Sequence, residues 1–549
     1  MARAASPSAH VDTFARDRLP PAAEQPEFLF ELPELQFPER LNCAAELLDR
    51  RIDQGWGGRR CLIAADGEVW TYAQLQAQAN RIANVLVQEM GLVPGNRVLL
   101  RSANSPMLAA CWFAVMKAGG IALGTMPLLR AKELAQIITK AQVTHALCDR
   151  ALAAELALAA VAVAAPLLRE LRHFGGDAAV GLEASAARQP DRFTAVDTAV
   201  DDVCLLAFTS GTTGQPKATM HFHRDVMAAC VCFPPHVLHA QADDVFIGSP
   251  SLAFTFGLGG LLLFPIHAGA ATVLLAKASP PDLLDGIARH GATVLVTAPT
   301  SYRAMAAAAR ERKLAVAHGG TLRKCVSAGE ALPAATRALW REATGIELID
   351  GIGATELLHI FISADEPHAR AGATGLAVPG YRACVLDDQL NPVVTGSVGR
   401  LAVKGPTGCR YLDDPRQAQY VQGGWNLTGD AYLQDADGYF VYQSRSDDMI
   451  VSAGYNIAGP EVEDALMGHP AVAECAVIGV ADAERGQVVK AFVVLKPGML
   501  GDAACTEALQ DFVKAAIAPY KYPRAIDYRA ALPRTETGKL QRFKLRGGL

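Results

Sequence analysis

Phe208-Thr209-Ser210-Gly211-Thr212-Thr213-Gly214-Gln215-Pro216-Lys217 follows directly on an apolar run that starts at Val203. A strand that gives way to glycines, hydroxyls and one lysine suits a phosphate loop. The glycines let backbone N–H groups approach polyphosphate oxygens closely, and Lys217 adds a positive charge. The rival is a Walker A loop, which fails on two counts. Ala218 follows Lys217 where that motif needs Ser or Thr for magnesium, and Pro216 stands where its helix would start. Alone, such a stretch can also be an ordinary turn, so its meaning depends on what accompanies it.

Outward from this stretch the chain alternates. Helical patterns at Tyr72 to Met90 and Ser105 to Ala118 are interleaved with short apolar runs at Arg97 to Leu100, Thr293 to Val296 and Lys324 to Val326. That is an α/β pattern. Farther on, Arg400 to Val403, Ala431 to Gln434 and Tyr439 to Tyr442 read as shorter strands, with Asp437-Gly438 as a turn, so an all-β module is expected to follow. A smaller mixed unit begins near Arg445, with strands at Glu474 to Val480 and Lys490 to Leu495 and a helix at Thr506 to Ala516.

At 549 residues the chain is long enough for three or four domain-sized units. Charged residues make up 19% and the net charge is -5, which argues against a broad basic surface for nucleic acid; a polyanionic ligand must be held locally. The twelve cysteines are scattered, and Cys230 and Cys232 lack metal-ligand spacing, so they read as reduced, buried thiols of a cytoplasmic protein. Met1 to His10 has no apolar signal core and precedes Asp12, Asp17, Glu24 and Glu27, which suits a loosely ordered arm. Two apolar stretches, Ala151 to Leu168 and Phe254 to Ala276, read as buried structure and not as membrane spans. Glu155 and Pro166 break the first; Pro265, His267 and Gly269 divide the second into a helix and a short strand, Thr272 to Leu275.

Further motifs follow the hydroxyl loop. Asp350-Gly351-Ile352-Gly353-Ala354-Thr355-Glu356 is a second glycine-rich turn, ending in a hydroxyl and a carboxylate suited to a phosphate and its magnesium. Thr428-Gly429-Asp430 places a carboxylate at a tight turn, where it can accept two ribose hydroxyls. Arg445-Ser446-Asp447-Asp448 leads into Ile450 to Ile457, and Pro533-Arg534-Thr535-Glu536-Thr537-Gly538-Lys539-Leu540 lies near the C-terminus. Each also has a plain reading as a turn, a surface ion-pair cluster or a solvated lysine.

Taken together, in this order and spacing, the motifs resemble the adenylate-forming superfamily of acyl- and aryl-CoA synthetases, luciferases and peptide-synthetase adenylation domains. The resemblance implies a large N-terminal domain, 1–444, of two α/β subdomains plus a β-barrel-like module, and a small mobile α+β domain, 445–549. It implies ATP, Mg2+ and coenzyme A. By it Thr209, Ser210, Gly211, Thr212, Thr213, Gly214 and Lys217 hold the β- and γ-phosphates. Thr355 and Glu356 hold the α-phosphate and the metal. Gly329, Glu330 and Ala331 line the adenine pocket near Asp350 and Gly351, and Asp430 and Arg445 bind ribose. Asp447 is the hinge, Lys539 the catalytic lysine, and Ala453, Gly454 and Tyr455 flank the thiol tunnel after the small domain rotates. Ile352 departs from the pattern, in which an aromatic residue often stacks on adenine.

Within the superfamily, the run from Asp350 to Phe361 and the ending Gly538 to Arg546 resemble benzoate-type CoA ligases. The N-terminal arm, with Phe14-Ala15-Arg16-Asp17, is more like the 2-aminobenzoate-CoA ligases. The implied partner is a small aromatic acid, with no nucleic acid or membrane and a homodimer as the candidate assembly. Phe254, Thr255, Phe256, Gly353 and His359 form the expected acid pocket, though the phenylalanines and His359 also suit plain core packing. The alternatives are an adenylation enzyme that loads a carrier protein and a medium-chain acyl-CoA ligase.

Overall fold

The computed structural model describes residues 7–163, 167–176, 180–210, 216–445, 449–452, 455–482, 485–517, 519–534 and 540–546. Two parallel-type sheets form its larger part. The first has six strands in the spatial order Glu170–Phe174, His145–Asp149, Arg97–Arg101, Ile121–Thr125, Val203–Ser210 and Pro216–Phe222. Its last pair is antiparallel and brackets the hydroxyl loop, so Pro216 starts a strand and not a helix. The second sheet has nine strands, in the order Leu376–Ala377, Ile360–Ser363, Leu348–Gly353, Lys324–Ala328, Val294–Thr297, Val245–Gly248, Ala271–Leu274, Arg60–Ala64 and Val69–Thr71. The first of these strands in the chain thus serve the second sheet, which the sequence pattern does not reveal.

Local signals place the helices. Thr71 caps Tyr72–Asn84 with a reciprocal capping box through Gln74. Ser105 caps Pro106–Lys117, and Pro106 sits at the first helical turn, where its missing N–H costs nothing. That second helix is buried on nearly every side, which explains its uniformly apolar sequence. The Phe254 to Ala276 stretch divides as expected into helical turns ending at Gly269 and the strand Ala271–Leu274. No helix among the described residues is long and apolar enough to cross a membrane.

The expected β-module is a five-stranded antiparallel sheet built around Val398–Lys404 and Trp425–Gln434, and Arg445 is the last residue of its strand Phe440–Arg445. A further five-stranded sheet, packed with Gly459–Met467 and Ala503–Ala516, makes up the C-terminal part.

The N-terminal arm differs from its expectation. From Ser8 onward it is pinned: Ser8 and the Ala9 amide bind Asp202, Asp12 pairs with the buried Arg97, and Glu27 pairs with Lys404. The described residues contain no disulfide, and the cysteines are free thiols. Cys43, Cys204 and His223 meet in the core, where the Cys43 amide donates to His223 Nδ1 at 3.2 Å.

Candidate active site

The motifs of the two α/β sheets converge because each follows the C-terminal end of a parallel strand, where open α/β sheets bind ligands, whereas Thr428-Gly429-Asp430 lies within the antiparallel strand Trp425–Gln434. Val203–Ser210 runs into the hydroxyl loop, Lys324–Ala328 into Gly329 and Glu330, Leu348–Gly353 into Thr355 and Glu356, and Val245–Gly248 toward Phe254. These strands pair in parallel within their sheets.

At the centre, Lys217 Nζ lies 3.4 Å from Glu356 Oε1 and donates to Tyr411 Oη at 2.9 Å. Tyr411 in turn donates a short hydrogen bond to the same Glu356 oxygen. Tyr411 is 1% exposed, and burial beside Glu356 keeps its hydroxyl protonated far above the ordinary phenol range. Three residues from distant parts of the chain therefore share one polar node. The sequence reading found two of them and missed Tyr411.

His221 Nε2 meets the Thr355 carbonyl at 2.8 Å. Behind it, Asp225 accepts from the fully buried Arg410 at 2.7 Å; burial pushes its carboxyl up, but Arg410, His221 and Arg224 together outweigh that and hold it at about 2. Leu358, two residues beyond Glu356, holds φ 71°, a conformation that costs a leucine of order 1–3 kcal/mol. The two residues expected at the ribose also meet: Arg445 Nη1 is 3.0 Å from Asp430 Oδ1 and donates to the Thr428 carbonyl at 3.1 Å. Gly429 is required there, because its φ is 77° and a Cβ would come within 2.7 Å of Arg445 Nη2.

Gly329 has φ 92° with open space where a side chain would lie, so its backbone is accessible, and Ala331 is exposed. Asp350 lies under the glycine-rich turn; burial pushes its carboxyl up to about 7, and Oδ1 has no partner. Gly351 and Gly353 are needed for close packing, since a Cβ at either would press on Ile360 or the His359 backbone. Arg534 reaches this region from the C-terminal part, 3.6 Å from Glu330, and pairs across its loop with Leu540. Gly211, Thr212, Thr213, Gly214, Asp447, Ala453, Gly454 and Lys539 lie outside the described residues; Tyr455 opens the strand Tyr455–Ile457.

The acid segment is split. Phe254 and Thr255 line a small cavity of about 20 Å³ between the two sheets. His359 instead sits inside a cluster of Phe233, Phe256 and Phe264, 4.4 Å from the Phe264 ring, with both ring nitrogens buried and without hydrogen-bond partners among the described residues. Burial holds its imidazole down to about 3, so it is neutral.

The oxygen donors fit the expected groups. Magnesium takes hard oxygen ligands, which the Glu356 carboxylate and the Thr355 and Thr209 hydroxyls offer, and Thr209 Oγ1 is buried with no partner among the described residues. Lys217 and the backbone after Val203–Ser210 suit a polyphosphate.

Comparison with known proteins agrees with this geometry. The model of the AMP-binding enzyme family matches residues 49–410, and that of the AMP-binding enzyme C-terminal domain matches 461–539. A benzoate–CoA ligase of Thauera aromatica is 36% identical over 94% of this chain and 97% of its own length. The solved anthranilate CoA ligase AuaEII, in complex with anthranoyl-AMP, superposes with a TM-score of 0.87 at 34% identity, covering 94% of this chain and 99% of that one. A benzoate CoA ligase structure from Burkholderia xenovorans LB400 gives 0.83 at 31% identity, covering 92% and 100%. The chain belongs to the AMP-binding enzyme family and is an AMP-forming acid–CoA ligase that uses ATP, Mg2+ and coenzyme A.

Proposed function

We propose that the chain activates a benzoate-type acid bearing a small polar ortho group, with 2-aminobenzoate preferred, and transfers it to coenzyme A. The observation that carries the reading is Thr255. It is the one hydroxyl between two phenylalanines, it is 7% exposed, and it lines a cavity at the head of the acid segment. An ortho amine buried without a partner would cost about 1–3 kcal/mol, and one partnered by Thr255 would not. The likeness to proteins whose own substrates are benzoate and anthranilate supports the ring.

In the proposed first half-reaction, the acid's carboxylate attacks the α-phosphorus of ATP and pyrophosphate leaves, giving an acyl-adenylate. Negative charge grows on the α-phosphate and pyrophosphate oxygens, so the need is for fixed positive charge and not for a general base. Lys217 and the loop it follows would hold the outer phosphates, and Lys539 the reacting one. Thr209, Thr355 and Glu356 would hold Mg2+, which supplies further charge neutralisation when bound. Asp430 and Arg445 would orient the ribose, with Gly329, Glu330, Ala331, Asp350 and Gly351 around adenine. In the second half the thiolate of coenzyme A displaces AMP. We assign residues 445–549 to the domain that turns at Asp447 between the halves, bringing Ala453, Gly454 and Tyr455 to the thiol.

The test is kcat/KM for benzoate, 2-aminobenzoate, 2-hydroxybenzoate and hexanoate on the parent and on Thr255→Ala. The parent is expected to prefer 2-aminobenzoate over benzoate by about ten-fold, with Thr255→Ala erasing that preference. A parent that prefers benzoate or hexanoate refutes the ortho-amine assignment.

A further inference from the structure

The strand Pro216–Phe222 meets the Thr355–Glu356 turn twice. Side chains two apart share a face of a strand, so Lys217, Thr219 and His221 lie on the same side of it. Lys217, at one end of that face, reaches Glu356, and His221, at the other, reaches the Thr355 carbonyl at 2.8 Å. A carbonyl oxygen only accepts, so His221 Nε2 carries a proton and donates it. The ring is confined. Its side chain is fully buried, its other nitrogen lies 3.8 Å from Asp225 Oδ2, and Asp225 is itself fixed by Arg410 and the Phe222 amide.

The turn needs such a tie. Thr355–Leu357 is a single 3-10 turn that stops at Leu358, whose φ of 71° is a conformation that a leucine resists. The Leu358 amide donates to the same Thr355 carbonyl at 3.2 Å, so one oxygen takes both the bond that closes the turn and the His221 proton. The Leu357 carbonyl takes Thr407 Oγ1 at 2.7 Å. Two side chains thus hold backbone oxygens on either side of Glu356. The Lys217 contact is of another kind. A ligand phosphate competes with Glu356 for that ammonium, but it does not compete for His221 Nε2, whose bond goes to the backbone.

We propose that His221 is a positioning residue of the adenylation half-reaction: its Nε2–H holds the Thr355 carbonyl and so keeps Thr355 and Glu356 in place for the metal while Lys217 turns to the phosphates. The proposal rests on the reading of this turn as the Mg2+ site and adds the group that supports it. The experiment follows pyrophosphate release over a series of free Mg2+ concentrations, with the aromatic acid that the parent uses best, and thioester formation from the matching supplied acyl-adenylate. The variants are His221→Leu, which removes the donor, His221→Gln, whose amide N–H falls near the Nε2 position, and His221→Asn, whose amide stops short of it. The Mg2+ concentration for half-maximal pyrophosphate release is expected to rise about ten-fold in His221→Leu and His221→Asn and to stay within about three-fold of the parent in His221→Gln, with thioester formation near the parent rate throughout. A shift below about three-fold in His221→Leu, a His221→Gln no better than His221→Asn, or equal losses in both half-reactions overturns the proposal and leaves His221 to the core. Should His221→Leu fail to fold, the two amide variants decide alone. Glu356→Gln separates the two readings: if it leaves the Mg2+ dependence unmoved, the metal reading of the turn fails and takes the proposal with it, and if it moves that dependence while the His221 variants do not, only the proposal fails.

Discussion

Tyr411 joins the two charges proposed to handle phosphate and magnesium: its hydroxyl accepts from Lys217 and donates to Glu356. Removing that oxygen leaves the two charges only their direct 3.4 Å contact. Tyr411→Phe is therefore expected to raise KM for magnesium-ATP several-fold to ten-fold, with a smaller change in kcat; initial rates over a grid of Mg2+ and ATP concentrations check this. Lost kcat with an unmoved KM would assign Tyr411 some other role. Residues such as Lys217, Glu356 and Asp430 were legible in the sequence because each stands in a short run of unusual composition. Tyr411 stands in Gly408-Cys409-Arg410-Tyr411, which has no such signature, and it reaches the node through a bridge to Thr219, far away in the chain.

At the scale of elements, period and punctuation carried most of the reading. The strand Lys324–Ala328 and the helices Tyr72–Asn84 and Pro106–Lys117 lie where their patterns put them, and Pro216 excluded a helix for a reason that the hairpin makes concrete. Pairing was not legible, because which strands share a sheet depends on contacts far apart in sequence; Arg60–Ala64 beside Ala271–Leu274 is the clearest case. Nor was the pinning of the arm, which depends on single ion pairs such as Asp12 with Arg97. One glycine marks where the two sheets touch. Gly124, within the strand Ile121–Thr125, would place a Cβ 2.8 Å from the Ala253 backbone, and both residues border the cavity lined by Phe254 and Thr255. Gly124→Ala should push the acid segment away from the first sheet, costing about 1–3 kcal/mol of stability in denaturant titration and lowering kcat/KM for aromatic acids. Full stability in this variant would mean that the junction is looser than the packing indicates.

For the molecule as a whole, two sheets present their strand ends to one crevice, and the C-terminal part sends Arg534 to Glu330 at its edge. Composition bounded only how a polyanion can be held, since a chain of net charge -5 must bind one with local groups; the polyphosphate itself was read from the motifs. It did not foretell how the C-terminal part meets the crevice, because no local pattern encodes a surface contact between distant segments. The central claim is that one site makes an acyl-adenylate and then a thioester, with Lys539 needed only for the first. The most direct measurement separates the halves in Lys539→Ala: adenylate formation from ATP and 2-aminobenzoate without coenzyme A, and thioester formation from supplied aminobenzoyl-adenylate with coenzyme A. The account predicts loss of the first by at least about a hundred-fold, with the second close to the parent rate. Equal loss of both, or retention of the first, would contradict it.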